Sequence, residues 1–489
     1  MNLVKKISIL SMFFLISACN KDILEKDPLG TLSVETFYTN QEEAIQAVNA
    51  CYDGLQNYNI YGPMSIVEDV QTDDALKGGG GASDQPGMDQ MQKFIASADN
   101  HIFVDKWKTY YNIIFRCNLA IERIDNMSEE DISLKVKNRL IAEAKFIRGL
   151  SYFDLTIRFG NLPIITRPNS PDDYDVERSS REDVWSFIEE DLSFSINNLS
   201  KPSELSDTDL GRATVGAAKS LLAKVYIFQK KWSEALPLLN SVIGDYDYQL
   251  SNEYEDIFSI GNELNPEIIF QVNFETGGAS DGEGYNRNGW ISPRTSDVNW
   301  GGIGFLLPTQ DLVDEFEDGD VRLKSTILSD GDLFSGDVYD KSWSSTGYNC
   351  RKGLVAFDDY TAGTPYYVNN NYVVLRLGEV LLLRAEVYNE LNQSTNALKD
   401  INAIRDRAGL LPLSEALTQK LIREAIYHER RVELCFEQKR YYDLVRWGII
   451  SETMQSKGYK FVSGKHELWA IPQGEIDINS NLAPNNPNW

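Results

Sequence analysis

The chain has 489 residues, with 73 acidic side chains against 47 basic ones and a formal charge of −26. Such a surface argues against nucleic acid, whose binding runs on phosphate neutralisation by Lys and Arg. It also disfavours strongly anionic polysaccharides unless a local basic pocket overrides the field; neutral ligands fit better. A hydrophobic content of 42% is that of an ordinary globular protein, and the length admits two domains or one elaborated domain.

The first residues read as an export signal. Lys5 and Lys6 precede the apolar run Ile7 to Ile16, and Ser17 and Ala18 are the small residues a signal peptidase needs. The run is too short to span a bilayer. Ile16-Ser17-Ala18-Cys19 resembles the bacterial lipobox, so residues 1–18 are expected to be removed and Cys19 to carry lipid, with 19–39 as its tether. The other cysteines, Cys51, Cys117, Cys350 and Cys435, are scattered and form no Cys-x-x-Cys pair. Buried free thiols are the expectation, with one bridge open as an alternative.

From about Asn40 the apolar residues recur with helical period. Phe146, Leu150, Phe153 and Ile157 form one stripe within Arg139 to Phe159. Arg212 to Ile243 reads as a helix hairpin turning at Lys230-Lys231-Trp232, its second helix starting from Ser233. Arg376 to Ala408 reads as another, broken at Asn392 and stopped by Gly409. Each covers a little over thirty residues, near the about 34 of a tetratricopeptide repeat. Further helices are expected over Trp107 to Met127, Arg181 to Leu199 and Thr418 to Gln438.

Two stretches break this pattern. Gly78 to Gly81 form a four-glycine run within Leu76 to Met91. Residues 251–371 are rich in Gly, Asp, Ser and aromatics, and interruptions that long are usually functional. The expected organisation is therefore a mainly α chain, with helical repeat regions at 40–250 and 372–489 around a mixed, loop-rich insertion at 251–371 that binds ligand.

The aromatics of the insertion carry the chemical expectation. Sugar rings offer C–H groups on one face and hydroxyls at the rim, which suits rigid Trp and Tyr beside amides and carboxylates. Trp290, Trp300 and Trp343 are the expected platform, with Tyr285, Tyr339 and Tyr348 next; flanking Gly, Ser, Asn and Asp favour exposure. Core packing of the same rings is the alternative.

Five stretches together resemble one family: AEAKFIRGLSYFDLTIRFGNLPII (142–165), ATVGAAKSLLAKVYIFQKKW (213–232), YVVLRLGEVLLLRAEVYNEL (372–391), REAIYHERRVELCFEQKRYYDLVRWG (423–448) and LWAIPQGEIDINSNLAPNNPNW (468–489). The chain is identified as a member of the SusD/RagB family of Bacteroidetes outer-membrane lipoproteins. The resemblance implies a tetratricopeptide-type scaffold with an inserted subdomain. It also implies an exterior-facing place at the outer membrane and a SusC-like TonB-dependent transporter as partner. Loops of the N-terminal half would reach the ligand too, bringing in Asp73, Asp74, Asp84 and Gln85; capping a helix or lying in solvent is the alternative for the first two.

Other constellations fall short. Asp314, Asp318 and Asp320 hint at calcium, but Phe316 stands where an EF-hand needs an oxygen ligand. No cofactor is expected, and a structural calcium stays open. His428 has no second histidine at ligand spacing. The leading function is non-enzymatic capture of a neutral glycan. A RagB-like peptide receptor, a two-carboxylate glycoside hydrolase and a protein-binding scaffold are the alternatives.

Overall fold

A computed structural model describes residues 37–168, 175–275, 287–295, 300–360 and 365–489. Cys19 and Tyr285 lie outside the described residues. Ten of the longer helices carry labels here: α1 Gln41–Leu55, α2 His101–Asp125, α3 Leu134–Phe159, α4 Arg181–Asn198, α5 Val215–Phe228, α6 Trp232–Gly244, α7 Leu377–Glu390, α8 Ser394–Arg407, α9 Gln419–Leu434 and α10 Arg440–Trp447.

Local chemistry sets many of their ends. The side chains of Asn40, Ser133, Ser180, Thr214 and Thr418 each accept a hydrogen bond from a first-turn amide, a cap worth about 1 kcal/mol apiece. The turn between α5 and α6 places Lys230 at φ 59°, and that between α7 and α8 places Asn392 at φ 58°. Gly409, at φ 76°, follows α8 where its lack of Cβ makes a left-handed residue cheap. The second helix of the first hairpin begins one residue before the expected Ser233, with Lys231 at its cap and no side-chain capping bond.

Successive helices pack as neighbours: α1 on α2, α2 on α3, α3 on α4, α4 on α5, α5 on α6, then α6 on α7 and α7 on both α8 and α9. α3 departs from the single stripe read in the sequence. It is buried almost all round from Leu140 onward, charged residues included. Those charges are paired: Arg148 donates Nε to Asp191 Oδ2 at 2.7 Å, and Arg158 reaches Glu68 and Asp154. Buried ions persist only in such company.

The insertion holds short antiparallel pairs. The strands are β1 Ala75–Gly78, β2 Ile268–Val272, β3 Phe305–Pro308, β4 Ile327–Leu328, β5 Leu333–Phe334, β6 Asp337–Val338, β7 Asn349–Cys350 and β8 Tyr372–Arg376. They pair as β1–β3, β2–β8, β4–β7 and β5–β6. β1 belongs to the N-terminal half yet pairs with the insertion, Ala75 opposite Pro308 and Gly78 opposite Phe305.

A buried ion lattice fixes the insertion to α9. Arg376 contacts Glu267, Glu433 and Glu437, and Arg322 contacts Asp320, Glu429 and Glu433. Burial alone would raise the Glu433 carboxyl, but Arg407, Arg376 and Arg322 hold it well below the usual range. The four cysteines of the body are buried free thiols. Asp320 is committed to Arg322 at 2.7 Å and Phe316 is buried. Among the described residues no cluster of three or more His, Cys, Asp or Glu could hold a metal.

Candidate functional site

The glycine run is a loop clasped to the insertion. Gly78, Gly79 and Gly81 sit at φ 74°, 70° and 105°. A Cβ at Gly78 would lie 2.2 Å from Gly304 O, and one at Gly79 would lie 2.3 Å from the Phe305 ring. Only glycine allows this approach. Gly79 N donates to Gly304 O at 2.8 Å, and Gly80 N donates to Asp84 Oδ2 at 2.7 Å. Lys77 Nζ donates to the carbonyls of Gly81 and Asp84 at 2.8 and 2.5 Å and lies 5.4 Å from the Phe305 ring centroid.

Around this loop stand groups that could meet a ligand. Asp84 and Gln85 are half-buried, Gln85 at φ 54° ahead of the short helix Pro86–Gln92. Arg294 leaves 53% of its side chain exposed with Nη1 3.6 Å from Asp84. Tyr58, 43% exposed, meets Trp290 edge-on with ring centroids 5.6 Å apart. Trp290 in turn packs on Phe305 at 5.0 Å. Tyr366 is half-buried against Gly289, where a Cβ would come within 2.3 Å of its ring. The surface thus offers an aromatic ring, a guanidinium, a carboxylate and an amide on a braced backbone.

The exposure expected of the aromatic platform is not what the fold gives. Trp290 is 6% exposed, Trp300 1% and Tyr339 1%. Trp300 packs with Phe334, Tyr339, Trp343 and Phe357 in a small separate core of the insertion. Short strands and turns cannot bury enough aliphatic surface, so the rings supply it. Tyr339 also donates its hydroxyl to Asn349 Oδ1 at 2.7 Å. Trp343 and Tyr348 are half-buried, the latter donating to Gln310 Oε1 at 2.8 Å.

Asp73 and Asp74 are buried rather than presented. Asp73 takes a two-pronged contact from Arg440 at 2.9 and 3.0 Å, and Asp74 takes the Nε of Arg431 at 2.7 Å. Their work is to anchor the start of β1, and so the loop beyond it. Tyr58 and Arg294, exposed beside this loop, are not among the candidates the sequence offers. The one available signal was a tyrosine in an Asn-rich turn just past a helix, Asn57-Tyr58-Asn59.

Two family models match the chain: residues 24–227 fit that described as "Starch-binding associating with outer membrane", and residues 266–489 fit the "SusD family". The chain belongs to the SusD/RagB family. This SusD-family protein is 29% identical to a SusD-like protein of Formosa agariphila, over 96% of this chain and 97% of that one. It is 27% identical to a SusD-like protein of Bacteroides ovatus, over 91% and 82%. Among solved structures, a laminarin binding SusD-like protein superposes with a TM-score of 0.81 at 29% identity, covering 92% of this chain and 100% of the other. The tetratricopeptide-like helical fold expected from the sequence is the fold found. No helix of the described residues is long and apolar enough to cross a membrane.

Proposed function

We propose that this SusD-family chain is a non-enzymatic receptor, tethered by lipid on Cys19 to the outer face of the outer membrane. It captures a neutral oligosaccharide or polysaccharide and passes it to a SusC-like TonB-dependent transporter. Glucans of the laminarin type are the first ligands to try. The observation that carries the ligand class is the 29% identity, over nearly the whole chain, to a solved laminarin binding relative.

The glycine-loop surface suits the task. Tyr58 offers a ring face for the C–H side of a sugar, with Trp290 bracing it from beneath. Asp84, Gln85 and Arg294 offer charged and amide groups for the hydroxyl rim. The acidic surface overall leaves neutral chains as the better partners.

Affinity electrophoresis of the pure protein through gels holding laminarin or other neutral polysaccharides tests this. Retardation by at least one neutral glycan is expected, with no reducing sugar released on incubation. Failure to bind any of a broad neutral panel, or steady sugar release, would overturn it.

A further inference from the structure

A second cleft lies apart from the glycine loop. It has a volume of about 900 Å³ and runs between the connector 201–214, the exit of α6, β2 with its flanking turns, and Asn369 and Asn371. None of the loop-surface residues lines it. That volume is in the range of small-molecule sites, ~300–1,000 Å³. A further pocket of about 320 Å³ shares Gln56, Gly211 and Asn273 with it and reaches Asn49 and Asp53.

We propose that this cleft is a second binding site for a neutral oligosaccharide. The inference takes its ligand class from the function proposed above, and its place from a separate set of residues. Side-chain amides supply the first argument. Gln56 spends its Nε2 on Asn273 O at 2.6 Å, and Asn371 spends its Oδ1 on Phe274 N at 2.8 Å. The Oε1 of Gln56, the Nδ2 of Asn371 and the whole side-chain amide of Asn273 are left to pair with hydroxyls, which both donate and accept.

Tyr246 supplies the ring. It is half-buried, stands edge-on to Tyr248 with centroids 6.0 Å apart, and has Lys219 Nζ 5.3 Å from its centroid. Leu210 and Leu264 line the same cleft and stay 42% and 69% exposed, an apolar surface for the C–H faces of sugars. Charge favours a neutral guest. Of the two lining cations, Arg212 is committed to Glu143 at 2.8 Å and Asp209 at 3.1 Å, while Asp245, Asp247 and Glu263 also face the cleft.

An extended peptide added to the edge of β2 fits less well. Strand addition needs an even row of backbone groups. β2 carries register irregularities on both sides of Phe270, and the Gln56 side chain already occupies Asn273 O.

Calorimetric titration with laminarihexaose tests the site on four proteins: the natural chain, Tyr58→Ala at the loop surface, and Tyr246→Ala and Ser203→Trp in the cleft. Ser203 lines the cleft from an exposed position on a short turn, so an indole there intrudes on the cleft from its solvent side, away from the core; thermal midpoints check this. The expected result is two saccharides per natural chain, one lost in each cleft variant or weakened at least tenfold, and the other lost in Tyr58→Ala. One saccharide lost only in Tyr58→Ala overturns the cleft and leaves the proposed function standing. One lost only in the cleft variants supports the cleft and removes the loop surface. No hexasaccharide bound at all, or an extended Gly/Ser-rich decapeptide bound and blocked by Ser203→Trp, overturns the cleft assignment.

Discussion

Arg431 donates its Nε to Asp74 Oδ1 at 2.7 Å, joining residues 357 positions apart in the chain. The same guanidinium meets Asp73 at 3.0 Å, Asp311 at 2.8 Å and Glu315 at 2.9 Å, with only 7% of the Arg side chain exposed. One cation on α9 therefore gathers carboxylates from the N-terminal half and from the insertion. Arg431→Met would leave them facing one another, Asp74 fully out of water. Removing one partner of a buried ion cluster costs about 3–5 kcal/mol, and urea unfolding should show a loss of that size. Arg431→Lys should recover only part, because an ammonium cannot fork to several carboxylates. A loss under about 1 kcal/mol for the Met variant would refute the anchoring role.

Asp69 should give the stability curve a slope at neutral pH. Its Oδ1 accepts from Gln438 N at 3.1 Å, while Oδ2 is buried with no hydrogen bond. Burial pushes this carboxyl up to about 8, with Glu68 and Asp74 adding to the rise against Arg287. For an acid raised on folding, the stabilising contribution is complete below its ordinary value near 4 and is lost as pH climbs through about 8. Asp69→Asn should flatten the decline over that window by up to about 1.4 kcal/mol per pH unit. The carboxyls held low by cations against their burial, Glu68, Glu437 and Asp443, act the other way, losing their contribution as pH falls below the ordinary carboxylate range. His428, held up by Glu315 despite burial, loses its share as pH rises; it is common to both proteins and cancels in their difference. Parallel melting-temperature curves from pH 4 to 8 would refute this assignment.

The helical half of the architecture was legible because caps and periodicity are local. Asn40, Ser180 and Thr418 sit where the structure caps helices, and Asn392 and Gly409 turn the chain where the apolar pattern breaks. The surface was less legible, because exposure in the insertion depends on which distant segment covers a ring. Trp300 stands among Asn and Gly in the sequence, but Phe334 and Phe357 cover it. Asp73 and Asp74 look like solvent-facing acids until α9 brings Arg431, and α10 brings Arg440, to them.

Trp300→Ala is therefore a stability variant. The side chain is 1% exposed and touches four aromatic neighbours in the insertion's own small core. Truncating a buried Trp costs about 3–5 kcal/mol, so a lower unfolding midpoint is expected, with any loss of glycan binding following from that. Trp343, half-buried at the margin of the same cluster, should cost clearly less as Trp343→Ala. Equal and unchanged midpoints for both would mean that this cluster does not hold the insertion together.

Tyr58 and Arg294 are the side chains whose removal should separate binding from folding. Tyr58 is 43% exposed and contacts Trp290 by an edge, so Tyr58→Ala removes a ring face while Trp290 keeps Phe305 beneath it. Arg294 is 53% exposed and its contact with Asp84 is long at 3.6 Å, a surface pair worth at most about 1 kcal/mol. Neither change should move the melting temperature by more than a few degrees. Central aromatic and Arg contacts carry about 2 kcal/mol or more of binding on truncation, so affinity for laminarin at the loop surface should fall roughly tenfold to thirtyfold or more in each. Tyr58→Phe keeps the ring and should retain most of the affinity, which distinguishes stacking from hydrogen bonding by the hydroxyl. Unaltered binding in both alanine variants, with folding intact, would move the glycan away from the glycine loop altogether.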